Sequence, residues 1–334
     1  MDPVDPVALA RRLIDIDSTT GHEGEVAEVL AAYLRERGYS VLQQPLENDR
    51  CNVIAAAGEP HVVFSTHFDC VPPYFPSRVE GGVLYGRGAC DAKGILAAQI
   101  AAAEQLRAEG ESRLGLVFVA GEERGSDGAM AANRIASPST FLVNGEPTDN
   151  RVGAATRGVF RVRLFAAGRA AHSGYPELGD SAIEKLLDVL HAMRSAEWPS
   201  DELLGPTHYT VGLIEGGVAP NVVPPHAHAE ILFRTVSDHD LIRTVLARVA
   251  AGKVRVEEVL EVPPVRLRTE EGFESAVFAY TTDIPFLSKW GTPLLLGPGS
   301  IHVAHTDREH VPISELLRGV EQYVTLARRL LGAA

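Results

Sequence analysis

Apolar residues recur along the chain in two rhythms that alternate. Short unbroken runs, such as buried strands show, stand at 52–56, 61–66, 114–120 and 141–143, with a further strand candidate at 39–42. Between them the spacing becomes helical. Val26, Val29, Leu30, Tyr33 and Leu34 share one face over 25–37 with Gly38 as a stop, and a second helix is expected over 93–106. Alternating strands and helices predict a doubly wound α/β layer, which places its ligands outside the carboxyl ends of the strands.

Beyond Arg151 the pattern changes. A strand is expected at 158–166 and a helix at 180–196, with Ile183, Leu186, Leu187 and Leu190 on one stripe. Strands at 208–214 and 227–233, a helix at 238–249 and a strand at 254–259 follow. Strand, helix, strand, strand, helix, strand is the ferredoxin-like order. From about Arg266 the first style returns, and 314–331 closes the chain as a helix with Leu316, Leu317, Val320, Tyr323, Val324, Ala327, Leu330 and Leu331 toward the sheet. A chain of 334 residues exceeds one ordinary core. The expected organisation is therefore a larger domain, 1–156 and 266–334, interrupted by a small α+β domain, 157–265.

Chemistry collects where the strands of the larger domain end. The run 62–66 leads into His67 and Asp69, and Asp91 follows a glycine-rich turn. Glu122 and Glu123 come straight after the run at 114–120, and Glu146 after that at 141–143. A pair such as Glu122-Glu123 is ordinarily a solvated surface feature. Its place at the end of a buried strand gives it a functional reading instead. Imidazole and carboxylates aimed at one crevice from rigid strand ends are what a metal site needs.

The segments His67-Phe68-Asp69-Cys70-Val71-Pro72 and Gly86-Arg87-Gly88-Ala89-Cys90-Asp91-Ala92-Lys93-Gly94 resemble the two signatures of the co-catalytic zinc amidohydrolases and peptidases, the M20-like family that includes acetylornithine deacetylase and succinyl-diaminopimelate desuccinylase. The resemblance implies a zinc-exopeptidase-like mixed sheet flanked by helices, and two Zn2+ ions, with Co2+ or Mn2+ as substitutes. It assigns His67, Asp91 and Glu146 to one ion, and Asp91, Glu123 and His305 to the other. Asp69 would hold the His67 ring and Glu122 would be the general base. The segment around His172 resembles the family's small-domain stretch whose histidine stabilises the oxyanion and reaches the partner subunit's site, implying a homodimer through the small domain. Asn221 and Arg234 match small-domain positions that contact the substrate carboxylate and carbonyl, a carboxylate being the handle for Arg234 and the main-chain N–H near Gly299 adding to it, although a structural salt bridge is the other reading of that arginine. His302 and His310 rival His305, but an Ala-His followed by a Glu four residues on selects His305.

Composition narrows the partners. A net charge of −13 argues against nucleic acid and favours no membrane surface. Cys51, Cys70 and Cys90 are odd in number and lack zinc-motif spacing, which fits a reducing compartment, with Cys70 and Cys90 as buried filler. Residues 1–10 carry two aspartates and no long apolar stretch, so a cytoplasmic enzyme is expected. Most of the 12 histidines need no role; His61, His191 and His239 read as surface or helix positions. The expected reaction is hydrolysis of the amide of an N-acyl amino acid, most like acetylornithine deacetylase. Dipeptidase, carboxypeptidase, desuccinylase and carrier-protein hydrolase share these motifs, and a non-catalytic metal-binding scaffold is the alternative from another class.

Overall fold

The computed structural model describes residues 2–135 and 137–332. The chain separates into two units, one of Met1–Ala154, Leu267–Ala276 and Thr282–Ala334, the other of Ala155–Arg266 and Val277–Thr281.

The first unit is built on a six-stranded sheet in the order Ser40–Pro45, Cys51–Ala56, Leu114–Val119, Val62–His67, Phe141–Asn144, Thr292–Leu295. The first two strands run antiparallel to their neighbours, and the last four are mutually parallel. Val62–His67 is buried at every position, because both faces of a parallel strand are covered. Its side chains divide between two cores. Val62 and Phe64 join the face covered by Pro6–Ile14, Gly24–Glu36, Lys93–Ala108 and Ile313–Gly332, whereas Val63 packs with Val117, Val119, Leu142, Ala129 and Trp290 on the other. From Val62–His67 the chain goes next to the neighbour on one side and then to the neighbour on the other, so a crevice opens at its carboxyl end.

The second unit contains Gly158–Ala167, the helix Ala182–Arg194, His208–Gly216, His226–Thr235, the helix His239–Ala250 and Val254–Val262, in that order. Its four strands are antiparallel, arranged second, third, first, fourth. Phe160, Val162, Leu164 and Ala166 alternate toward the two helices, and Arg161 and Arg163 point to the opposite, polar face.

Four sequence expectations need correction. The helix Pro6–Ile14 was not expected, although Asp5 accepts from the N–H groups of Val7 (2.8 Å) and Ala8 (3.2 Å) and Pro6 sits in the first turn, a start signal in plain view. Leu187 and Leu317 fall outside the buried faces of their helices, at 46% and 45% exposure; Val189 and Met193 fill the core on the first. The short helix Asp127–Ala132 lacks the length to show a period. His239 is not a surface residue: it is 3% exposed, between the Thr235 hydroxyl at 2.7 Å and Glu261 at 2.8 Å.

Candidate dinuclear metal centre

The crevice is lined from successive strand ends. His67 is the last residue of its strand, and its ring is fixed from below: Nδ1 lies 3.0 Å from the Asp69 carbonyl oxygen and 3.4 Å from Asp69 Oδ1. Asp69 is itself held by three further groups. The Thr20 hydroxyl donates to Oδ2 (2.8 Å), and the N–H groups of Glu122 and Glu123 donate to Oδ1 and Oδ2 at 3.1 and 3.2 Å. One buried carboxylate therefore orients both the imidazole and the turn that carries the two glutamates. Such bonding to the charged form, together with His67, holds Asp69 below its ordinary range against the opposing effect of burial.

Asp91 stands between two imidazoles. Oδ1 is 3.0 Å from His67 Nε2, and Oδ2 is 3.3 Å from His305 Nε2. Glu146 Oε2 approaches His67 Nε2 to 4.0 Å, and Glu123 Oε2 approaches His305 Nε2 to 3.0 Å. The result is two triads of potential donors, His67/Asp91/Glu146 and Asp91/Glu123/His305, each with one atom per residue inside a 4.8 Å circle. His305 has φ 63°, the left-handed region, an uncommon conformation for a residue with a side chain and one that clusters at functional sites.

The electrostatics are those of a site short of positive charge. Burial and the neighbouring Glu146 push the Glu122 carboxyl well above its usual range, and burial, with Asp91, Asp283 and Glu123 adding to it, does the same to Glu146 although His67 opposes. Burial also raises Asp283 to about 7. Contacts with Asp91 and Glu123 raise His305 to about 10, and at His67 the pull of Asp69 and Asp91 overcomes the burial that opposes it. Among the described residues, Glu146 Oε1 is buried without a hydrogen-bond partner, an arrangement costly unless a cation balances it. Paired imidazole, carboxylate and no thiolate fit zinc, cobalt or manganese. The residues present fit two divalent ions sharing Asp91.

The other predicted residues fall as follows. Gly299 has φ 86°, and a Cβ there would lie 2.7 Å from Cys90 Sγ, so only glycine allows this loop beside Asp91. His172 and Asn221 are exposed and adjacent in the second unit: the Ser173 N–H donates to the Asn221 carbonyl at 3.0 Å, and the Gly174 N–H to His172 Nδ1 at 3.1 Å. Arg234 is half-buried on His226–Thr235, and among the described residues no carboxylate lies within ion-pair distance, so the salt-bridge reading finds no partner. Burial lowers its pKa. Cys70 and Cys90 are buried and unpaired. Neither His302 nor His310 joins a donor triad.

Three residues of the site carry no role in the sequence reading. Thr20 braces Asp69; Glu309 binds the Asp91 turn; Asp283 adds a carboxylate beside the crevice. The one sequence signal for Asp283 is that it is the single acid between Glu274 and Asp307.

Residues 63–329 match the model of peptidase family M20/M25/M40. A peptidase M20 domain-containing protein of Schizosaccharomyces pombe is 37% identical over 330 residues, covering 95% of this chain and 82% of that protein. A probable carboxypeptidase of Aspergillus terreus is 35% identical over 372 residues, covering 97% and 85%. Among solved structures, aminopeptidase PepT from Bacillus cereus superposes with a TM-score of 0.82 at 20% identity, covering 98% of each chain.

Proposed function

Because this chain belongs to peptidase family M20/M25/M40 and so is a hydrolase of amide bonds, we propose that it is a two-metal exopeptidase that releases the C-terminal residue of short peptides. The observation that carries the reading is the single Asp91 carboxylate with one oxygen on His67 and the other on His305. The carboxypeptidase direction is supported by the relatives of that description, which cover nearly the whole chain.

When bound, two divalent cations supply Lewis acidity toward the scissile carbonyl and a nucleophilic water near neutral pH. His67, Asp91 and Glu146 would hold one; Asp91, Glu123 and His305 the other. Glu122 is the general base. Its carboxyl makes none of the hydrogen bonds that occupy its neighbours, and its raised affinity for a proton suits it to take one from water and return it to the departing amine. Asp69 keeps the His67 ring turned and the Glu122 turn in place. His172 is assigned to the oxyanion, and Asn221 and the main chain by Gly299 to the substrate carbonyl. Arg234, with its guanidinium uncommitted, is assigned to the terminal carboxylate, which a planar fork holds with paired bonds.

The homodimer is supported by the strand His208–Gly216. It lies at the sheet edge with Leu213 and Ile214 exposed at 57% and 54%, an edge that a second copy would cover. Three unpaired cysteines support a cytoplasmic location, and no described helix is long and apolar enough to cross a membrane. Removal of an acetyl group from a basic amino acid is a narrower form of the same chemistry. One screen separates the readings: dipeptides, tripeptides and N-acetyl or N-succinyl amino acids, with zinc, cobalt or manganese, followed by release of free amine. Peptides with a free carboxyl terminus should turn over fastest. A preference for N-acetyl basic amino acids replaces carboxypeptidase by deacetylase, and no turnover of any amide leaves only the scaffold.

A further inference from the structure

Glu309 is fully buried, four residues beyond His305, yet belongs to neither donor triad. Its oxygens are committed elsewhere. Oε1 accepts from the main-chain N–H groups of Gly88 (2.9 Å), Cys90 (3.2 Å) and Asp91 (3.0 Å), and Oε2 accepts from Arg87 Nη1 at 2.6 Å. Three converging N–H groups form a small anion seat, and Glu309 is the anion built into it. Gly88 makes the seat, with φ 90° and no room for a Cβ, which would lie 2.9 Å from Cys90's counterpart across the turn, Cys70 Sγ. The Gly86 N–H also donates to the Glu309 carbonyl at 3.2 Å, so main chain and side chain grip the same turn.

We propose that Glu309 is a positioning residue for the second metal site, locking the turn that carries Asp91 to the loop that carries His305. The second triad needs this lock most. His67 and Glu146 are fixed at the ends of buried strands, whereas His305 sits on a loop with no strand beneath it. Release of the lock frees Asp91 Oδ2 and His305 from each other. The inference rests on the two-metal reading above.

The test is calorimetric titration of metal-free wild type, Glu309→Gln and Glu309→Asp with Zn2+. Wild type should take two ions. The variants should keep one near wild-type affinity and weaken the other roughly tenfold or more, the usual loss when a partner behind the ligands is removed. Glu309→Gln leaves the buried Arg87 charge unbalanced; Glu309→Asp keeps the charge but is too short to reach both Arg87 and the three N–H groups. Two ions bound by both variants with affinities unchanged overturns the inference and leaves the two-metal reading standing. Fewer than two ions in wild type overturns both. Should neither variant fold, hydrogen exchange on metal-free wild type decides: protected N–H groups at Gly88, Cys90 and Asp91 support the lock, and unprotected ones refute it.

Discussion

The two units use the same charged residues in opposite ways. On the polar face of the second unit's sheet, Glu230 lies 2.8 Å from Arg163 and 3.5 Å from Arg161, and where the helix His239–Ala250 meets the last strand Arg243 lies 2.7 Å from both Glu258 and Glu261. Each of these glutamates is pulled below its ordinary pKa, first of all by its arginine. In the crevice of the first unit the carboxylates of Glu122, Glu146 and Asp283 pair with no arginine among the described residues, and burial drives them upward. Charge matched on the surface contributes solubility and little stability. Charge left unmatched in a buried crevice stores an affinity for protons and metal ions.

The contrast can be broken most severely at Glu122. Glu122→Gln should keep the metal content of wild type while lowering kcat by about 10²–10⁴-fold, the range of general acid–base catalysis; metal analysis beside amine release checks both halves. His305→Ala comes next. It should remove one of two ions, seen by titration with Zn2+, because a triad reduced to two carboxylates no longer has its imidazole.

A smaller effect sharpens the point about unmatched charge. In chelator, Asp283→Asn should stabilise the metal-free protein at pH 7 by on the order of 1–3 kcal/mol, measured by denaturant unfolding. The sign follows from the raised pKa. A carboxyl moved up to about 7 stabilises the fold fully below its unfolded value and loses that contribution as pH rises through about 7. The variant should therefore flatten the fall in stability between pH 4 and 7. Smallest of all, Glu230→Gln on the exposed sheet should leave both melting temperature and kcat/KM unchanged.

The crevice was largely legible in the chain because its groups stand at the ends of apolar runs. His67, Glu123 and Glu146 follow strands whose burial any sequence shows, and the glycine-rich turn marks Asp91. What could not be read is held by contacts across long separations. Glu309 and the Asp91 turn are 218 residues apart, and neither stretch predicts that three N–H groups will face one carboxylate. Asp283 lies beyond a short strand, Ser275–Phe278, that carries no long apolar run, and its neighbours His67 and Asp69 are more than 200 residues away in sequence. The same limit explains His239, whose helical position reads as surface until Thr235 and Glu261 close over it. Leu187 and Leu317 fail for the converse reason: a helical stripe is wide, and only packing decides which edge is covered.

The first unit is interrupted between Ala154 and Leu267. Its last parallel strand, Thr292–Leu295, the loop with His305, and the helix Ile313–Gly332 that packs on Lys93–Ala108 are all synthesised after the intervening stretch. Until then Phe141–Asn144 has one unpaired side, a sticky template that must be kept from other nascent chains. Translation cut short anywhere before His305 would yield a polypeptide lacking the Asp91/Glu123/His305 triad, so on the two-metal proposal such fragments could not assemble the site and would be harmless to neighbouring peptides.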